Sequence, residues 1–353
     1  MTKRNRTRLL HGLVFVVIVF LTSTIRDSSL IGASTVVGRI AASGRPPMLV
    51  QAGDSKSVCI YAGIGSLLRR AEAATGISYR CVETFSNADP TWSDWVDPWV
   101  IHPQYGYTKW LAADPTKRTI VLTQDLIPDS EAANPNWRAQ GAAGRFDPYA
   151  RQLAENLVKA GFGYSVIRLG HEMNGTWYRD SIGNTPIEWH EWARYFAQIV
   201  RTMRSVRGAN FLFDWNVNAG YRDIPLADYY PGNRYVDIIG IDLYDAGASY
   251  TLPSINSPVR WRALASEPLG LNAVEAFATA HHKPLSIPEW ATLKSAGNGD
   301  DGAYVTQVGA FVASHDVAYQ SWFDSGSDNA LQLSARSAPR SVAAYAEAFA
   351  PRH

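Results

Sequence analysis

A (β/α)8 TIM barrel in a single domain is the fold this sequence predicts, on three observations. Eight short apolar runs recur from about residue 57 onward. Their hydrophobicity is continuous rather than alternating, as in strands buried on both faces of a parallel sheet. Helical patterns stand between them, and eight β-then-α units suit a fold of about 250 residues that lengthens with insertions. A chain of 353 residues can bury one large core of this kind. A doubly wound open sheet fits less well, because no Gly-rich dinucleotide or phosphate loop follows any run.

The predicted strands, in order, are Val58–Ala62, Tyr79–Thr84, Thr119–Thr123, Ser165–Gly170, Asn210–Asn216, Val236–Asp242, Pro284–Pro288 and Val317–Trp322. Amphipathic stretches over Asp147–Ala160 and Trp189–Val206 are expected to be two of the intervening helices. The chain shows no internal repeat, so residues 56–353 are expected to form one catalytic domain.

The amino-terminal segment reads differently. Lys3, Arg4, Arg6 and Arg8 precede an apolar run from Leu13 to Leu21. A membrane-spanning helix needs about 20 apolar residues, so residues 1–22 are expected to be a secretory signal, with an uncleaved tether through residues 9–22 as the alternative. Residues 23–55, rich in Ser, Gly, Ala and Pro, read as a linker. A secreted or envelope-associated protein is the expectation. The formal net charge is +1, and the basic residues of this segment supply it. The remainder is slightly acidic, with no basic stripe for a polyanion, so nucleic-acid binding is not expected. The two cysteines, Cys59 and Cys81, lie in short apolar stretches. A disulfide suits an exported protein, two buried free thiols suit the local sequence equally well, and no histidine is spaced to make either a nucleophile.

A barrel of this class carries its chemistry at the carboxyl ends of its strands. There the sequence places Arg168-Leu-Gly-His-Glu-Met-Asn-Gly175 with Trp177 and Tyr178, then Asp214-Trp-Asn216, Asp242-Leu-Tyr244, Pro288-Glu289-Trp290 and Trp322-Phe-Asp324. Glu172 after strand four and Glu289 at the end of strand seven are expected to face each other across the mouth. Two such carboxyls suit glycoside hydrolysis, one protonated to assist the leaving oxygen and one to attack or stabilise the anomeric carbon. Arg168 and Tyr244 are expected to partner Glu289, and apolar surroundings to keep Glu172 protonated. The 12 Trp and 17 Tyr offer flat faces for stacking sugar rings.

These residues carry a resemblance. Arg168-x-x-His-Glu-Met-Asn-Gly175 with Trp177 resembles the strand-four signature of glycoside hydrolase family 26, which comprises mainly β-mannanases with some mixed-linkage β-glucanases and β-1,3-xylanases. Gly144-Arg-Phe-Asp-Pro-Tyr149, the run from Tyr229 to Tyr244, and Pro284-Leu-Ser-Ile-Pro-Glu289 are similar to further blocks of that family. The resemblance covers roughly residues 144 to 324. It implies a retaining enzyme with Glu172 as acid/base and Glu289 as nucleophile. It also implies a histidine, His171, that shapes the acid/base site, a tyrosine, Tyr244, that hydrogen-bonds the nucleophile, a cleft-lining Trp177 and a sugar-flooring Trp322. Arg168 and Asn216 complete the expected substrate-binding set. The sequence departs from the family at Trp290-Ala291, where a small or aromatic residue and then Gly is usual, and at Arg179-Asp180, where sugar-binding insertions are short.

Competing structural readings attach to several residues. A strand-end ion-pair role for Glu172 or Glu289, and core packing for Tyr244 or Trp322, are the lesser readings beside the functional ones. Trp92, Trp95 and Trp99 read as a sugar platform or as loop packing. Trp189-His-Glu-Trp192 and His171-Glu172 lack the second histidine of a zinc motif, Asn298-Gly-Asp-Asp-Gly302 falls short of a calcium loop, and His281-His282 reads as a solvated turn. Asn174-Gly-Thr176 fits a glycosylation acceptor by chance. No cofactor or metal is called for. The expected function is therefore a monomeric endo-glycosidase acting on a β-linked polysaccharide, β-1,4-mannan first. Mixed-linkage β-glucan or β-1,3-xylan are the alternative substrates, and a non-catalytic carbohydrate-binding envelope protein or a hydrolase trimming its own cell's exopolysaccharide are the alternative roles.

Overall fold

All eight apolar runs form strands in a computed structural model that describes residues 57–86, 89–245, 257–294, 299–325, 330–335 and 337–351. The expected signal segment, the tether through residues 9–22 and the linker 23–55 lie outside the described residues. The strands are β1 (Ser57–Tyr61), β2 (Cys81–Phe85), β3 (Thr119–Gln124), β4 (Val166–Leu169), β5 (Leu212–Asn218), β6 (Ile238–Asp242), β7 (Leu285–Trp290) and β8 (Val317–Phe323). They close in sequence order into a parallel barrel in which β1 pairs with both β2 and β8.

The helices are α1 (Ser66–Thr75), α2 (Trp92–Trp95), α3 (Tyr107–Ala113), α4 (Trp137–Ala142), α5 (Asp147–Lys159), α6 (Pro186–Arg204), α7 (Ser257–Ser266), α8 (Leu271–Ala280), α9 (Gly302–Ser314) and α10 (Pro339–Phe349). Helix α6 begins three residues before the expected start. Thr185 and Glu188 form a capping box there and Pro186 occupies the first turn, a start signal that outweighs the later tryptophans. The β5–β6 connection contains only a 3-10 turn at Leu226–Asp228. Where a helix would pack, a groove of about 870 Å³ runs along α6 between Ile187, Arg194, Tyr230 and Tyr235. It lies on the outer wall and includes neither candidate catalytic glutamate.

Strand parity sorts the barrel into layers, because alternate side chains point inward. The lowest inner layer holds Cys59, Cys81, Val121, Val166, Leu212, Ile238, Ala318 and Tyr319. Cys59 and Cys81 are direct partners on β1 and β2, and they form a disulfide with Cα atoms 4.4 Å apart. The middle layer is polar. Asp214 accepts hydrogen bonds from Ser286 Oγ and Tyr319 Oη, both at 2.6 Å. Gly240 leaves room for this pair, since a Cβ there would sit 2.7 Å from Asp214 Oδ1 and from Ser286 Oγ. Above this layer opens the mouth.

One irregularity sets the site. Between the pairs Ile287↔Gln320 and Trp290↔Trp322, β7 advances three residues while β8 advances two. The extra residue is a bulge that begins at Pro288 and re-aims Glu289 into the barrel, leaving Trp290 outside against Tyr345 and Phe349 of α10.

Candidate active site

Glu289 and Glu172 face the same mouth by different means. Glu289 is carried by the β7 bulge. Glu172 follows β4 through a tight turn in which Gly170 has φ +60° and Glu172 itself has φ +47°. A Cβ at Gly170 would meet Leu126 Cδ1 at 2.2 Å, so only glycine fits the exit from the strand. A left-handed glutamate costs conformational energy, of order 1–3 kcal/mol, and such residues cluster at functional sites. Gly175 has a second purpose. A Cβ there would sit 2.6 Å from the Trp177 indole, and its absence lets the ring fold back over the turn. The indole Nε1 then donates to Glu172 Oε2 at 2.8 Å. Met173 and Asn174 of the same run are buried, and the Asn174 amide donates to the carbonyls of Asn218 and Tyr221. That burial excludes a glycan on Asn174 in the folded chain.

Arg168 is the hub beneath the mouth. It is fully buried, its Nη1 donates to Glu289 Oε1 at 2.5 Å and to Glu83 Oε1 at 3.1 Å, and its Nη2 is bonded to Asp242. Asn216 Oδ1 accepts from Arg168 Nε at 3.0 Å and from Nη2 at 2.7 Å. The second oxygen of Glu289 accepts from the Tyr244 hydroxyl at 2.8 Å, and its backbone N–H donates to Asp242 Oδ1. Both oxygens of Glu289 are thus engaged, and the expected Arg168 and Tyr244 partnerships are present.

The electrostatics separate the carboxyls. Burial, then the negative charge of Glu289, raises Glu172 to about 7 against the donors Asn218 and Trp177. Glu83, fully buried, is raised to about 8 by burial even though Arg168 opposes it. The reason is that one guanidinium faces three carboxyls. Burial raises Asp214 to about 6. Burial lowers His171 well below the usual histidine value, so it stands neutral beside Tyr178 and Phe85, with Nδ1 3.8 Å from Asp125 Oδ1.

Three expected sugar contacts are corrected by these positions. Trp322 is 0% exposed and points outward, its indole packed on Trp290 and Tyr345 and donating to the Leu331 carbonyl. Parity places Phe323 inward instead, stacked on Tyr61 at 4.7 Å and edge-on to Tyr244 and Phe85. Arg168 and Asn216 are both fully buried and hold other side chains. They form the floor under the site and do not reach its surface. Trp177 is 46% exposed and Tyr244 is half-buried, consistent with a lining role. Trp92, Trp95 and Trp99 turn out to pack the loop after β2, their indoles donating to Glu131, Asp125 O and Phe85 O.

Several residues of the site escaped the sequence reading. Asn218 Nδ2 donates to Glu172 Oε1 at 2.5 Å, and the alternation Asp214, Asn216, Asn218 on β5 was the signal for it. Tyr61, Phe85 and Phe323 form an aromatic wall. Asp125, paired with Arg179 at 2.6 Å, stands at the end of β3. The remaining decoys are structural. Asp301 caps α9 and pairs with Arg260, Asp300 accepts from the backbone of Arg340 and Ser341, and His281 packs on Tyr230 and Phe277. Asn298 lies outside the described residues.

Comparison with known proteins agrees with this architecture. Residues 143–258 match the model of glycosyl hydrolase family 26, a span that includes Glu172 and ends before Glu289. Endoglucanase H of Acetivibrio thermocellus is 27% identical over 213 residues, covering 58% of this chain and 22% of that protein. The chain therefore spans about a fifth of that curated relative's length. Among solved structures, Bacillus subtilis mannanase man26 superposes with a TM-score of 0.58 at 14% identity, over 90% of this chain and 91% of that one. A modular endo-beta-1,4-mannanase from Cellulomonas fimi superposes with 0.55 at 18% identity, over 78% and 65%. These likenesses establish the shared fold.

Proposed function

The chain belongs to glycoside hydrolase family 26, and from that premise we propose that it hydrolyses internal β-linkages of a polysaccharide, β-1,4-mannan first, with retention of configuration. The observation that carries the reading is the unlike treatment of two carboxyls at one mouth. Glu289 has Arg168 on one oxygen and Tyr244 on the other, while Glu172 is raised to about 7 by burial and by Glu289.

Glu289 attacks the anomeric carbon as Glu172 passes its proton to the glycosidic oxygen, releasing the leaving chain and forming a glycosyl ester on Glu289. Glu172, now ionised, takes a proton from water. The hydroxide adds to the anomeric carbon and frees Glu289. The exposed face of Trp177 and the wall of Phe323, Tyr61 and Phe85 stack the sugar rings on either side of the scissile bond.

A β-glucan is the second reading, favoured by the endoglucanase named among the relatives. Export is also part of the reading, supported by the disulfide. Retention of the full chain in a membrane fraction would favour a tethered enzyme that trims its own cell's polysaccharide.

The test is product release from mannan, glucomannan, mixed-linkage glucan and β-1,3-xylan by residues 45–353, with Glu289→Ala and Glu172→Ala alongside and the first-formed anomer read by NMR. Glu289-dependent release of the β-anomer from mannans supports the reading; release from another member moves the substrate. An α-anomer overturns the mechanism. Oligosaccharide binding without turnover on any member would make the chain a carbohydrate-binding protein.

A further inference from the structure

Glu172 is held by a relay that begins in its own motif. Asn174, two residues on, is fully buried and uses its amide Nδ2 to bind the Asn218 carbonyl at 2.9 Å, while its Oδ1 accepts the Asn218 backbone N–H at 2.8 Å. This two-way clamp fixes the last residue of β5. Asn218 then turns its own Nδ2 onto Glu172 Oε1 at 2.5 Å. The Asn218 Oδ1 atom is buried without a hydrogen-bond partner, so the amide is oriented by what its Nδ2 serves and not by full satisfaction of its own groups.

We propose that Asn218 is a positioning residue for proton transfer, holding Glu172 Oε1 in place and setting how tightly that carboxyl keeps its proton. The proposal rests on the reading of Glu172 as acid/base. A fixed N–H donor stabilises the carboxylate over the carboxylic acid. Proton donation to the leaving oxygen needs the acid, and proton abstraction from water needs the carboxylate. One group must therefore be balanced between the two forms. Burial and the facing carboxyl of Glu289 on β7 favour the acid. Asp242 at the end of β6, and the neutral phenols of Tyr244 after β6 and Tyr178 in the loop after β4, are the other titratable groups around it. Arg168 of β4 and the donors Asn218 and Trp177 pull the other way. Among the two donors, Asn218 has its place fixed by the barrel, whereas Trp177 stands on an exposed loop.

Removing the donor shifts the balance toward the acid. In Asn218→Ala the titration midpoint of Glu172 should rise by about one pH unit, since a hydrogen bond to a charged group contributes about that much. The alkaline limb of kcat/KM should move up with it. Asn218→Asp, of the same shape but with the donor lost and a negative charge gained, should move the midpoint further in the same direction. Asn174→Ala, which frees the clamp, should give a smaller rise.

The measurement is carboxyl 13C NMR titration of Glu-labelled protein, with Glu172 assigned by its loss in Glu172→Gln, alongside the pH profile on whichever polysaccharide the wild type cleaves. An unmoved midpoint in folded Asn218→Ala overturns the proposal, and Asn218→Asp gives the same decision if the alanine variant does not fold. Because the titration needs no substrate, it judges Asn218 even if the wild type cleaves nothing, an outcome that would count against the proposed activity alone.

Discussion

Arg168 and Glu289 lie 121 positions apart in the chain, on strands across the barrel from each other, and their side chains meet at 2.5 Å. The same guanidinium also binds Glu83 and Asp242, so a single positive charge organises three carboxyls in a dry interior.

Removing that charge should be costly. Arg168→Met is expected to destabilise the fold by about 3–5 kcal/mol, because it strands buried carboxyls without their counter-charge. Arg168→Lys should recover only part of this, since an ammonium cannot reproduce the forked contacts to Glu83, Glu289 and Asn216. Urea denaturation of the two variants checks the order.

The outward Trp322 and the inward Phe323 give opposite expectations. Trp322→Ala opens a cavity behind β8 and should cost about 3–5 kcal/mol of stability with little change in KM. Phe323→Leu, conservative in the core, should leave stability within about 1.5 kcal/mol but raise KM by removing an aromatic face from the mouth. If Trp322→Ala raises KM and Phe323→Leu does not, the assignment of faces is wrong.

Stability should fall as pH rises from about 4.5 to about 8. Glu83 is raised to about 8 and Glu172 to about 7 in the folded chain, against ordinary glutamates near 4.5. Between those values the folded state holds protons that the unfolded state has released, so the slope is negative; below about 4.5 both states are protonated and the stabilisation is fully present. Glu83→Gln, which cannot ionise, should flatten the decline, as thermal melts across this range would read.

The Cys59–Cys81 disulfide should resist reductant in the native state. Both sulfurs sit inside the lowest barrel layer, and thiolate attack needs access. Dithiothreitol is expected to reduce it only with denaturant present. Cys59→Ala/Cys81→Ala should lose about 3 kcal/mol, the scale for a loop of this length. Rapid reduction of the folded protein, followed by mass spectrometry of alkylated thiols, would contradict the buried position.

Much of the fold was legible because it rests on local patterns. Each of the eight apolar runs became a strand, and the turn that carries Glu172 is written in a short motif whose glycines have steric reasons, Gly170 for its backbone angle and Gly175 for the Trp177 ring. Asn218 was missed because β5 was ended at Asn216, one alternation short. The cysteines were undecided in sequence because either pairing or isolation fits an apolar stretch; the register Cys59↔Cys81 on neighbouring strands brings the sulfurs within bonding reach.

By itself the sequence determined the strand count and order, the resemblance to a glycoside hydrolase family and the two glutamates at the strand ends. Tertiary structure decided which side chains reach the mouth. A barrel strand is buried on both faces, so its hydrophobicity carries no parity, and Trp322 and Phe323 look alike until register assigns one to the helices and the other to the site. It also decided that Arg168 and Asn216 support the site from below, since a charged side chain reads the same in sequence whether it meets a substrate or is neutralised by carboxyls from β2, β6 and β7.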